Sequence, residues 1–156
     1  MSNSALDLLA LWQRVADVLA PQDCFVCGAN AGGQAVCEHC VAELPRRPAT
    51  ACPRCALPGL AGAECAACQR TPPVFDATRA LYDFAFPVDA MVHALKYRHQ
   101  LALASFFADA LIALARDFGG DADLVLPMPL HPLRLAERGF NQAVEIARPY
   151  ARARGL

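Results

Sequence analysis

Leu6, Leu9, Trp12, Val15, Ala16 and Leu19 recur at helical spacing, so residues 4–20 are expected to form an amphipathic helix ended by Pro21. Its polar face carries both signs of charge rather than a basic stripe, which favours packing over membrane attachment. Residues 22–71 show no long run of either periodicity. They are rich in Cys, Gly, Pro and Ala, bury little carbon and need another source of stability. From Pro72 the pattern changes. DATRALYDFAF (76–86) alternates and ends in aromatics, predicting a strand. Residues 88–99 and 101–118 predict two helices, the second with Leu103, Phe106, Phe107, Ala110 and Leu114 on its buried side. The apolar run DLVLPMPL (123–130) predicts a buried strand of a parallel sheet that empties into the loop HPLRLAERGF. Residues 141–154 predict a last helix, with Asn141 as its cap, Glu145 in its first turns and Pro149 ending or kinking it.

This order gives three parts: an N-terminal helix (1–21), a cysteine-rich block (22–71) and an α/β beginning (72–156). Two or three strands cannot form a doubly wound sheet. The C-terminal part is therefore expected to be an incomplete domain, either a fragment or a subunit completed by a partner.

Composition narrows the classes. The 156 residues are 56% apolar and 19% charged, too apolar for a disordered chain. No apolar run reaches the roughly 18 to 20 residues that span a bilayer. The formal charge of −1 excludes a broadly basic nucleic-acid binder but not a local patch. Thirteen of the fourteen basic residues are Arg and only Lys96 is Lys, which favours forked contacts to phosphate or carboxylate. Thirty-two alanines reduce the weight of helix propensity alone. The start has no basic segment before an uninterrupted apolar run, so a secretory signal is not expected and a cytoplasmic location is. There, paired cysteines are more often metal ligands than disulfides.

All eight cysteines fall between residues 24 and 68. Cys24, Cys27, Cys37 and Cys40 superimpose on Cys52, Cys55, Cys65 and Cys68 after a shift of 28 residues, an internal duplication. Two cysteines separated by two residues put both sulfurs on one side of a tight turn, and two such knuckles supply a tetrahedral Zn²⁺ site. Four thiolates leave no open coordination position, so both sites are expected to be structural. Eight deprotonated thiols and two divalent ions lower the formal charge of −1 by four, to −5. Two [4Fe–4S] clusters, disulfides and a thioredoxin-like redox pair are the alternatives; the symmetric nine-residue loops and the absence of a surrounding βαβ pattern favour zinc. His39 lies inside a complete cysteine set and is expected to be an exposed bystander. The repeat favours sequential pairing over a cross-braced one. Arg46 and Arg47, between the ribbons, read either as phosphate contacts or as solvated linker charge.

After the predicted strand at 123–130, the chain places His131, Arg134, Arg138, Gly139, Asn141 and Gln142 within a dozen residues. Ligands of open α/β sheets lie beyond the carboxyl ends of strands. Arg134 and Arg138 share a face if the segment makes a helical turn. A multiply phosphorylated, metal-bound substrate suits such a cluster; the alternative is a loop whose arginines pair with Glu137 and Glu145.

The four CxxC knuckles, LYDF (81–84), ALKYRH (94–99) and above all PMPLHPLRLAERGFNQA (127–143) together resemble the ComF family. These are competence-associated proteins with a double zinc ribbon and a type I phosphoribosyltransferase-like domain, a Rossmann-like core. The resemblance implies a role in DNA uptake, with single-stranded DNA or a competence helicase as partner. It also implies that Lys96, Arg98, His131, Arg134, Arg138, Gly139, Asn141 and Gln142 face the pyrophosphate or acceptor side of phosphoribosyl pyrophosphate. His99 stands where the family usually has Gly. The family's strand ending in two acids and a Thr/Gly-rich turn has no counterpart here, since Asp121 and Asp123 precede a predicted strand. The chain is therefore expected to be catalytically incomplete, with Mg²⁺ and phosphoribosyl pyrophosphate bound only by an intact homologue. Self-association, a missing C-terminal half or a purely structural docking role remain open expectations.

Overall fold

The computed structural model describes residues 22–48, 50–59, 62–117 and 122–156. The N-terminal helix expected at 4–20 lies outside the described residues. Six helices are present among them: α1 (Glu38–Ala42), α2 (Ala66–Arg70), α3 (Val88–Tyr97), α4 (Ala102–Asp117), α5 (Pro132–Arg138) and α6 (Gln142–Arg154). Their bounds on α3, α4 and α6 lie within two residues of the sequence expectation.

The expected strands do not form. Among the described residues the only β pairing is three isolated bridges, Asp23 with Asn30, Ala51 with Pro58 and Arg46 with Tyr82. A strand exists only when a neighbour accepts its backbone hydrogen bonds. Among the described residues, the β pairing of 76–86 is confined to the short segment 45–47, and 123–130 has no partner strand. In the latter, Val125 and Pro127 are half-buried, while Leu124, Leu126 and Met128 stand 67%, 81% and 76% exposed. The two-residue alternation of a strand is thus retained without a ladder. The described residues build zinc-ribbon-like knuckles and helices, not a Rossmann-like core.

Among the described residues there are two compact units, 22–43 with 90–117 and 122–156, and those within 44–89. The division does not follow the change of composition at residue 72, because 72–89 packs with the second ribbon. In the first unit Met91, Ala94 and Leu95 of α3 are buried, with Leu103, Ala104, Ala108 and Ala115 of α4. α4 packs against α6. Its fully buried positions are mostly alanines, whereas Phe106, Phe107, Ala110 and Leu114 are only half-buried. Leu103 is buried as expected, but the rest of the buried face is turned toward Ala104, Ala108 and Ala115, whose small side chains let two helix axes approach closely. α6 runs through Pro149 to Arg154, so this proline does not end it.

Candidate metal centres and the arginine helix

Each ribbon is built by the same short-range rules. In the first, the Cys24 N–H donates to the Ala29 carbonyl and the Gly28 N–H to the Cys24 carbonyl. In the second, the Cys52 N–H donates to Leu57 and the Ala56 N–H to Cys52. A backbone N–H also reaches a sulfur in each, from Cys37 to Cys24 Sγ and from Cys65 to Cys52 Sγ, both at 3.3 Å. Cys37 and Cys65 then cap α1 and α2, which return Cys40 and Cys68 to the sites.

The cysteines gather sequentially. The sulfurs of Cys24, Cys27, Cys37 and Cys40 lie within 4.8 Å of one another, as do those of Cys52, Cys55, Cys65 and Cys68. Cys27 and Cys37 are 3.8 Å apart, and Cys55 and Cys65 3.7 Å. Four sulfurs about 2.3 Å from a central ion form a tetrahedron with edges of about 3.8 Å, so both sets fit Zn²⁺. Burial pushes the Cys40 and Cys68 thiols up to about 12. Against its burial, backbone N–H groups of Cys27 and Cys37 hold Cys24 down at about 6. Those of Cys55 and Cys65 hold Cys52 at about 6 as well. Each site thus offers a prepared thiolate beside a thiol that ionises only for a cation. His39 is exposed, outside both sets.

The ribbons differ in what supports them. In the first, the Phe25 N–H donates to Ala35 and Asn30 Oδ1 accepts from the Gly32 N–H. The shift of 28 places Pro53 and Pro58 at those positions, removing the donor and the side-chain acceptor. Guanidinium groups take over. Arg47 donates through Nε and Nη2 to the Ala56 carbonyl at 2.8 and 2.5 Å and pairs through Nη1 with Asp83. Arg79 donates to the Pro53 carbonyl, and Arg54 pairs with Glu64 and reaches the Phe75 carbonyl. Arg46 lies 5.9 Å above the Tyr82 ring. Arg47 is thus neither solvated linker charge nor a free phosphate contact but part of a clasp that the local sequence does not display. The available signal was Ala56, which replaces Gly28 at a position that requires positive φ (58° against 72°).

Downstream, the expected loop contains helix α5. His131 caps it, Nδ1 accepting from the Leu133 N–H, Pro132 opens it, and Gly139 at φ 73° closes it. Asn141 caps α6 by accepting from the Ala143 N–H, while its Nδ2 donates to the Met128 carbonyl. Arg138 is committed on both terminal nitrogens, to Tyr97 Oη at 3.0 Å and to Gln142 Oε1 at 3.1 Å, and stacks on the Tyr97 ring at 4.8 Å. His99 takes the left-handed backbone (φ 54°) that favours Gly, bonds the Arg138 carbonyl at 3.1 Å and packs on Phe140.

The structure therefore brings the Lys96–His99 segment to Arg138–Gln142. Arg134 is one turn back on α5, paired with Glu137; Glu145 pairs with Arg148 instead. His131 sits at the far end of α5. Lys96 and Arg98 carry no ion pair among the described residues, and Arg98 is exposed. Arg138 Nε and Gln142 Nε2 are buried donors with no acceptor among the described residues. Tyr97 was not singled out from sequence, although it lies between two residues that were.

Residues 15–69 match the double zinc ribbon domain family. "DNA utilization protein YhgH" of Salmonella typhi is 30% identical over 122 residues, which cover 74% of this chain and 53% of that protein. The protein of the same name from Escherichia coli K12 is 28% identical over 127 residues, 78% of this chain and 56% of its own length. The chain thus spans about half the length of these relatives. No solved structure matches it. The chain is thus similar over residues 15–69 to the double zinc ribbon domain and, over about three quarters of its length, to DNA utilization protein YhgH.

Proposed function

We propose that the protein serves DNA uptake or use as a ComF-like member of the phosphoribosyltransferase lineage, and that these 156 residues bind without turning over substrate. The observation that carries this is the junction of Lys96–His99 with Arg138–Gln142, on a chain that also holds two tetracysteine knuckles. Cations at such a junction stabilise charge on a leaving pyrophosphate. The unpaired Lys96 and Arg98 fit that role, as do the two buried donors without an acceptor. Arg138 and Gln142 are positioned by one another, so Arg138 acts through the geometry it fixes. His131, Gly139 and Asn141 shape the helix ends, with capping as their present contribution.

In this reading the alternating segment 123–130 is a strand awaiting neighbours, with Leu124, Leu126 and Met128 as its bare face. The acidic pair that would hold ribose hydroxyls with Mg²⁺ is missing from these residues. Accordingly no turnover is expected. The test is pyrophosphate release from phosphoribosyl pyrophosphate by the purified zinc-loaded chain. Release above that of a chelated control contradicts the reading, and none agrees with it.

A second reading, a module that contacts single-stranded DNA or a helicase, is favoured by the exposed aromatics Phe75, Phe84 and Phe86 in the unit that holds Arg46 and Arg70. Residues 44–89 hold five basic and four acidic residues, so contacts are few. Each phosphate contact contributes about 0.7 to the slope of log affinity against log salt for a single strand. A salt titration with a labelled oligonucleotide counts them, and no binding at low salt removes this second reading.

A further inference from the structure

Loading a knuckle with zinc converts four thiols into a centre of charge −2, so neighbouring cations favour the metal and neighbouring anions oppose it. The duplication allows a comparison of equivalent windows. Residues 22–43 contain Asp23, Glu38 and Glu43 and no Lys or Arg, a fixed charge of −3. Residues 50–71 contain Arg54, Arg70 and Glu64, a fixed charge of +1. Asp23 and Glu38 are each adjacent in sequence to a ligand, and the shift of 28 replaces both by alanine, at 51 and 66.

Access and support point the same way. Cys27 is exposed, while its counterpart Cys55 is half-buried. Arg47 and Arg79 anchor the carbonyls of Ala56 and Pro53 within the second knuckle. Among the described residues, no arginine anchors a carbonyl of the first knuckle. The second site is not sealed: Cys55 and Cys68 line an open groove of about 330 Å³ together with Arg70. Charge and anchoring, more than cover, separate the two.

We propose that the two sites are unequal in use: the first ribbon holds an exchangeable zinc that can be yielded to a competing ligand, and the second holds a permanent one. Cys24, Cys27, Cys37 and Cys40 then form a metal-responsive element, while the clasped second ribbon stays folded.

The experiment uses the full chain loaded with two equivalents of zinc and challenged with a chromophoric chelator at neutral pH. Samples are alkylated with iodoacetamide during release and mapped by peptide mass spectrometry. The expected result is two phases of one zinc each, about tenfold or more apart, with labelling of Cys24, Cys27, Cys37 and Cys40 in the fast phase. A single phase carrying both zincs overturns the proposal, as does fast labelling of Cys52, Cys55, Cys65 and Cys68. A variant carrying Asp23→Asn and Glu38→Gln keeps the shape and removes two charges. Its fast phase is expected to slow several-fold, toward the second; an unchanged rate also overturns the proposal.

Discussion

Ala56 and His99 show how a side chain can occupy a backbone conformation that sequence patterning barely registers. Ala56 and His99 both sit in the left-handed region, at φ 58° and 54°. A side chain there costs roughly 1–2 kcal/mol relative to a right-handed position. Ala56→Gly is therefore expected to stabilise the second ribbon by about 1 kcal/mol, measured by denaturant unfolding of the zinc-loaded chain. His99→Gly should gain little, because the imidazole that is lost also bonds the Arg138 carbonyl and packs on Phe140. Tyr97→Phe removes only the hydroxyl that accepts from Arg138, leaves the ring stacked, and should cost about 1 kcal/mol by the same measurement. Gly139 and Asn141 were legible as special positions from sequence. Tyr97 and Arg47 were not, since their partners lie 41 and 36 residues away and no local periodicity records them.

At the scale of elements, α3, α4 and α6 were legible because helical periodicity and end signals such as Asn141 are written locally, even where, as in α4, the buried face differs. The strands were not realised because a strand's hydrogen bonds belong to its neighbours, and the alternation at 123–130 states only a readiness to pair. α5 was hidden for a different reason: its sequence PLRLAER has no buried residue, and its ends are set by His131, Pro132 and Gly139. The knuckles give an element-scale prediction with a definite sign. Above pH 6 Cys24 and Cys52 are already ionised, whereas Cys40 and Cys68 hold their protons to about 12. Each zinc bound at pH 8 is therefore expected to expel about three protons or fewer, including that of Cys40 or Cys68. As pH falls through 6, Cys24 and Cys52 also protonate, and zinc affinity declines more steeply. Indicator-dye titration at pH 8 and 5.5 checks both statements; four protons per zinc at pH 8 contradicts the first.

On the scale of the whole molecule, the duplication was the most legible feature, because eight cysteines at a fixed shift state the ligand sets directly. What the sequence did not display is that copies alike in ligands rest on different supports. Arg47→Met breaks the contact to Ala56 and leaves Asp83 unpaired, so it is expected to weaken the unit 44–89 by about 1–2 kcal/mol. Hydrogen exchange should then show lost protection around residues 52–58 and 81–83, and unchanged protection in α4. Loss spread evenly over both units contradicts the clasp.

Two four-sulfur metal centres underlie the rest of the molecule. Native mass spectrometry of the reduced chain, before and after strong chelator, measures this most directly. Two zinc ions per chain are predicted, with chelation removing both and unfolding residues 22–71 as judged by circular dichroism and exchange. A reduced, metal-free chain that is equally folded with and without chelator would contradict it.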